Sequence, residues 1–351
     1  RQRQMCIRDR ISREKLKMTK NKVSVIIPVY NGVAWIRECI DSVLASTFQN
    51  FEIIVLDDHS ADGTTEAVER LAKEDERIRL ILRDSKGVSG ARNEGIAQSD
   101  GEYITFLDAD DKLDQHMLET LVAYLQKEGS DMVSCGYHRW DGSSKEAISG
   151  SAQKAETEET KITVRTVDRE HYLSDYLLRQ HTHCWGVLYK RSVIENVGFR
   201  EDLTIGEDMM FLMDLLPELE KISITDYKGY YYRMNQAGAT LRAFVPAYMD
   251  EIKSWKLAAD MVRRDYPQYQ PQIESILAVS GILVAGKIAR LSLRARKKYH
   301  NYVEECRETV KNALKVRGAK ENLPSGYGIK TALFIHCPWS YLRLYHLWKS
   351  R

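Results

Sequence analysis

Apolar residues along this chain follow two alternating rhythms. Val23-Ser24-Val25-Ile26-Ile27-Pro28-Val29 is β-branched and nearly continuous, the pattern of a strand buried on both faces. Directly afterwards the period lengthens: Ile36, Ile40, Val43 and Leu44 recur at helical spacing and predict an amphipathic helix. The alternation then repeats. Phe51 to Leu56 predicts a second buried strand, Thr64 to Lys73 a helix and Ile78 to Leu82 a third strand. A glycine-punctuated segment, Lys86 to Gly95, leads through a short helix into the apolar strand Tyr103 to Leu107. Gln115 to Lys127 predicts a helix, Asp131 to Tyr137 a strand, Val187 to Tyr189 a returning strand, and Glu207-Asp208 opens a helix through Leu215. Strands and helices at this spacing imply an α/β fold, a Rossmann-like and mostly parallel sheet with right-handed crossovers and flanking helices. Residues 138–160 are polar and read as a loop over one face, and 246–320 read as wholly helical.

Composition changes this picture in three places. The six cysteines have neither CxxC nor zinc-ligand spacing, so they read as isolated thiols, with no disulfide and no structural zinc expected. The net charge of +2 hides an asymmetry: residues 282–351 carry fifteen basic side chains against four acidic ones, and the body of the chain is strongly acidic. An acidic body with a basic end argues against a nucleic-acid partner and suits an enzyme docked by its tail to an anionic surface. Residues 1–17 resemble a translated sequencing-adapter leader and lack a secretory h-region, which makes Met18 the expected start. The expected organisation is a catalytic domain over 18–235, a helical region over 236–321 and a basic-aromatic tail over 322–351. No apolar run reaches the 18 to 20 residues of a spanning helix; the richest, Ile276 to Ala289, reads as a buried helix.

Chemistry concentrates where strands end. Asp108-Ala109-Asp110-Asp111 follows the strand ending at Leu107, and Asp57-Asp58 follows the one ending at Leu56. Open α/β sheets place their ligands along that carboxyl edge. Carboxylates so close repel one another unless a cation or hydrogen-bond donors compensate, so a hard divalent ion carrying a phosphate is the natural partner. Each cluster taken alone also suits a turn that caps the next helix.

Five motifs in order resemble the inverting, nucleotide-sugar-dependent glycosyltransferases of family 2, with the GT-A fold. They are Ser24 to Asn31, Asp57 to Thr64, Gly90 to Ile96, Gly101 to Asp111, and Gly206-Glu207-Asp208. The resemblance implies that Pro28, Tyr30, Asn31, Asp57 and Asp58 border the nucleotide, and that Arg92, Asn93, Asp108 and Ala109 face the nucleotide-sugar. It makes Asp108 and Asp110 the pair that holds Mn²⁺ or Mg²⁺, and Asp208 the general base, with Glu207 beside it. The family pattern has Gly where His59 stands. His183, Trp185, Glu207 and Arg233 are candidates for the acceptor site. The implied partners are a UDP-sugar donor and a saccharide or lipid-linked glycan acceptor, in surface-polymer synthesis at the cytoplasmic membrane face. Residues 329–351 mix aromatic and basic side chains, with Pro338 dividing them into two short helices; they read as an interfacial membrane anchor or as a tail packed on the protein's own helices. Rival readings are a sugar nucleotidyltransferase, whose glycine-rich loop is missing after the first strand, and a catalytically silent nucleotide-sugar-binding subunit.

Overall fold

A computed structural model describes residues 20–84, 87–141, 162–234 and 244–349. Residues 1–19, which include the expected leader, and most of the polar stretch between 138 and 160 therefore lie outside the described residues. Among the described residues nine strands form one sheet: β1 (Val23–Val29), β2 (Phe51–Asp57), β3 (Ile78–Leu82), β4 (Tyr103–Phe106), β5 (Lys112–Leu113), β6 (Met132–Trp140), β7 (Val164–Val167), β8 (Val187–Lys190) and β9 (Ile222–Arg233). The order is β3-β2-β1-β4-β8-β6-β9-β5, with β7 also on β9. β3, β2, β1 and β4 are mutually parallel, as are β6 and β9; β8 runs antiparallel between β4 and β6, and β5 and β7 run antiparallel to β9. The sheet is thus mixed and mostly parallel.

β1 and β2 are buried at every position, as their unbroken apolar runs require. Helices α1 (Ile36–Leu44), α2 (Thr64–Glu74) and α3 (Gly87–Gln98) accompany the parallel half, whereas α4 (Met117–Glu128) lies against β6, β8 and β9. α3 corrects one expectation, because the glycine-punctuated segment is itself helical. At Gly95 an added Cβ would lie 2.4 Å from Ile26 Cγ2, so the glycine lets the helix lie directly on β1. Helix propensity yields here to packing. A second correction concerns 138–140, which extend β6 rather than opening a loop.

The chain divides into two compact units. The first comprises residues up to 169 with 183–201 and 214–235, and holds the sheet; the second comprises 170–182, 202–213 and 236–351. Within the second unit lie α5 (Asp250–Asp265), α6 (Gln270–Ala289), α7 (His300–Ala313), α8 (Tyr327–His336) and α9 (Pro338–Lys349). The stretch Pro267–Ala289 is long and apolar enough to cross a membrane, contrary to the reading that no run suffices, but 78% of its apolar window is buried inside the chain. It is the core helix of its unit.

Candidate active site

Three loops meet at the carboxyl edge of the parallel strands. Val29 pairs with Asp57, and Leu107 N–H donates to Ile26 O (3.0 Å), so the ends of β1, β2 and β4 lie side by side. The first two loops are laced together: Asp58 N–H donates to Val29 O (2.9 Å), Asn31 N–H to Ser60 Oγ (2.8 Å) and Ala61 N–H to Asn31 Oδ1 (2.9 Å). Two non-glycine residues there take left-handed backbone, Asn31 at φ 51° and His59 at φ 68°. That geometry is why glycine is usual at position 59. His is among the side chains that tolerate it, and its Nδ1 lies 3.0 Å from Arg83 O.

The predicted nucleotide residues take different parts. Pro28 is buried within β1, whereas Tyr30 is 66% exposed, its ring open to a ligand at the sheet edge. Asp57 is fully buried, and its oxygens accept from Ser60 N (3.0 Å) and the Thr65 hydroxyl (2.5 Å), which makes it the group that shapes the loop rather than one facing a ligand. Asp58 is oriented by Arg83 Nη1 (3.3 Å) and by the N–H of Gly87, the first residue of α3 (3.1 Å). Arg83 is buried and also holds Glu94 (2.7 Å), giving an Asp58–Arg83–Glu94 chain that ties β2, the end of β3 and α3. Asn93 is turned away from this edge: its carbonyl accepts from Phe199 N–H (2.6 Å) and its amide donates to Phe199 O (2.9 Å), so it fastens residues 199–201 to α3. Arg92 is buried, lies over the Phe199 ring (5.1 Å to the centroid) and pairs with Asp108 Oδ1 (3.0 Å).

A second layer of contacts fixes the acidic loop. Asp108 N–H donates to the Tyr230 oxygen (3.3 Å), while the Tyr230 hydroxyl donates to Asp111 Oδ2 (2.6 Å). Arg233 gives its backbone N–H to Asp111 Oδ1 (2.7 Å), its Nε to Asp110 O (2.7 Å) and its Nη2 to Glu38 (2.5 Å). Lys112 joins Glu38 from the other side (2.9 Å), and both cations lie over the Trp140 ring, at 3.4 Å for Lys112 and 3.9 Å for Arg233. Arg233 therefore clamps the loop rather than lining an acceptor subsite. Ala109 packs against the core beneath.

Burial, then the charge of Asp108, pushes the Asp111 carboxyl up to about 8, with Asp110 adding to the effect. Asp108 and Asp110, two carboxylates on one loop, are oxygen donors of the kind a hard divalent ion takes. Among the described residues no three His, Cys, Asp or Glu side chains converge as a complete ligand set. The chain offers one or two carboxylates, and the remaining ligands suit phosphate and water oxygens, as Mg²⁺ and Mn²⁺ commonly take.

Trp185 belongs to an aromatic array. His183 stacks on it at 4.2 Å and Tyr230 at 4.3 Å, with Tyr137 edge-on at 5.2 Å, leaving the indole 9% exposed. With so little ring surface left, Trp185 is a wall of the sheet rather than a platform for a sugar; His183, half-buried, is its outer end. Glu207 and Asp208 lie in the second unit, in the first turn of a helix over Glu207–Leu215, where the helix dipole favours acids. Gly206 precedes them at φ 83°, and a Cβ there would lie 2.3 Å from Ser254 Oγ, so only glycine fits this start. Asp208 is half-buried.

Sequence reading missed Arg83, Glu38, Lys112, Trp140 and Tyr230. The signal available for Tyr230 was the Tyr-rich strand itself, in which alternate residues point to one face. Arg83 stands alone after a short strand and carried none.

Comparisons with known proteins give the family and the fold. The family model described as Glycosyl transferase family 2 matches residues 24–198. The chain is 33% identical over 231 residues to the uncharacterized glycosyltransferase EpsJ of Bacillus subtilis, covering 65% of each. It is 29% identical over 231 residues to the GalNAc(5)-diNAcBac-PP-undecaprenol beta-1,3-glucosyltransferase of Campylobacter jejuni, covering 65% of this chain and 70% of that one. The first curated relatives are spanned over 34% to 65% of their length, less than two thirds. In fold, the chain is similar to S. aureus TarS residues 1–349 in complex with UDP-GlcNAc: TM-score 0.67, 20% identity, 94% of this chain and 91% of that one.

Proposed function

The chain belongs to glycosyltransferase family 2, and from that membership and the carboxylate edge we propose that it moves a hexose or N-acetylhexosamine from a UDP-sugar to a glycan hydroxyl, with inversion, in bacterial surface-polysaccharide synthesis. One observation carries this reading: Asp58 and the distant pair Asp108 and Asp110 come to one edge of the parallel strands, with Arg83, Arg92, Tyr230 and Arg233 fixing their backbone and charge. UDP-GlcNAc in a structure of the same fold supports the donor class, and the undecaprenol-linked glycan in a relative's name supports a lipid-linked acceptor.

Asp58, held by Arg83 and Gly87, presents an acceptor for a ring N–H of the nucleobase. Asp110 would hold the divalent ion directly, with Asp108 beside it braced by Arg92. When bound, that ion supplies positive charge against the diphosphate as it leaves. Asp208 takes the proton of the acceptor hydroxyl while the acceptor oxygen bonds to C1 and the bond from C1 to the diphosphate breaks, releasing UDP. Attack on the face opposite the diphosphate inverts C1.

Turnover of a panel of UDP-sugars in the presence of Mn²⁺ tests the donor class. Asp208→Asn is expected to keep UDP-sugar affinity while lowering kcat by about 100-fold or more, the usual share of a general base. Unchanged turnover in that variant would remove the base assignment.

A further inference from the structure

Helices α8 and α9 have two unlike faces. Their inner faces are packed: Phe334 and Leu342 are fully buried, the Phe334 and Tyr341 rings lie 5.2 Å apart, and His346 Nδ1 sits 3.0 Å from Ala289 O at the end of α6. The outer faces should then be polar. They are not. On α9, Trp339, Arg343, Leu344, Leu347 and Trp348 are all exposed and fall on adjacent rows four residues apart, Trp348 at 63%. On α8, Ile329 is 80% exposed, with Ala332 three residues further along the same side. Single exposed apolar residues are ordinary, but a continuous row marks an interaction surface.

Charge identifies what the row meets. Arg290, Arg294, Lys297 and Lys298 follow directly from Ala289, the residue that anchors α9 through His346, and all four are exposed, as is Arg343. None of these five cations is met by a carboxylate at ion-pair distance among the described residues. The acids of α7, by contrast, are matched: Glu304 with Arg307 (3.0 Å), Glu305 with Lys256 (3.2 Å) and Glu308 with Lys311 (3.2 Å). Uncompensated positive charge beside exposed Trp and Leu would repel a second copy of the same face. It suits a lipid surface carrying negative headgroups, where Trp sits at the interface and Lys and Arg meet the phosphates.

We propose that the outer face of α8 and α9, with the basic segment 290–298, docks in the plane of an anionic bilayer. The surface belongs to the second unit alone, so the inference stands apart from the transfer reaction. The test is flotation of the full chain, without sugar nucleotide, on vesicles of phosphatidylcholine and on equimolar phosphatidylcholine and phosphatidylglycerol. Binding to the anionic vesicles is expected to exceed that to the neutral ones by about tenfold and to fall as salt is raised. Leu344→Ser with Trp348→Ser, both exposed, is expected to abolish flotation while circular dichroism and thermal unfolding stay unchanged; Arg294→Gln with Lys297→Gln should weaken it. Equal binding to neutral vesicles, no binding at all, or an unchanged apolar variant would overturn the proposal. So would a lipid-free dimer that the Leu344→Ser, Trp348→Ser variant dissociates, since the occupant would then be a second copy.

Discussion

Asp111 is a carboxyl buried in a site already crowded with acid, and its two donors come from a strand far along the chain, Tyr230 hydroxyl and Arg233 N–H. Burial also pushes the Tyr230 phenol well above its ordinary value, so it remains a donor. Tyr230→Phe leaves Asp111 short of one partner and the Asp108 N–H without its acceptor; a loss of about 1–3 kcal/mol in urea unfolding is expected. Glu52 obeys the opposite logic. Burial raises its pKa, but hydrogen bonds from Ser24 Oγ (2.6 Å) and Asp100 N–H (2.8 Å), with Lys22 at 3.2 Å, outweigh it and hold the carboxyl below its ordinary 4.5. A lowered folded pKa means that its stabilisation is complete above 4.5 and is lost as pH falls from there through the folded value. Glu52→Gln should therefore be less stable near neutrality and lose less stability on acidification, as thermal unfolding between neutral and acid pH would record. At this scale the acids at 58, 108 and 110 were legible because each ends an apolar run. Arg83, Glu38 and Tyr230 were not, because their meaning lies in partners brought close only by the sheet order.

Elements were legible where burial repeats with a simple period. β1, β2 and α1 follow from unbroken or helical apolar spacing, and the structure reproduces them. α3 did not, because its three glycines disfavour helix by about 1 kcal/mol each while the demand for close packing is invisible in the sequence alone. The two effects can be weighed. Gly95→Ala gains helix propensity of about 1 kcal/mol, yet places a methyl 2.4 Å from Ile26 Cγ2 in a fully buried contact, where overpacking costs about 1–3 kcal/mol. The substitution should lower Tm; a higher Tm would mean that α3 does not rest on β1. β9 is another case. Its twelve residues follow no regular alternation of buried and exposed positions and carry polar side chains among them, so the run of tyrosines at 230–232 is the one local mark of the strand. β8 was expected to return to the sheet, but its antiparallel course between β4 and β6 follows from connections that no local pattern encodes.

Over the whole molecule, charge and apolar pattern separate two tasks. The acidic, sheet-bearing unit holds the carboxylate edge, and the helical unit carries the basic, aromatic outer face together with Asp208. The excess of fifteen basic over four acidic residues in 282–351 was visible in the sequence; that the aromatic tail both packs inward and keeps an apolar face outward required the structure. The proposed transfer depends on acidic groups, scattered along the sequence, gathering a cation and a diphosphate at one edge. Calorimetric titration of UDP into the full chain, with and without Mn²⁺, measures this directly. Binding that requires Mn²⁺ and is lost in Asp110→Asn is the predicted result; UDP binding indifferent to both the ion and Asp110 would contradict it.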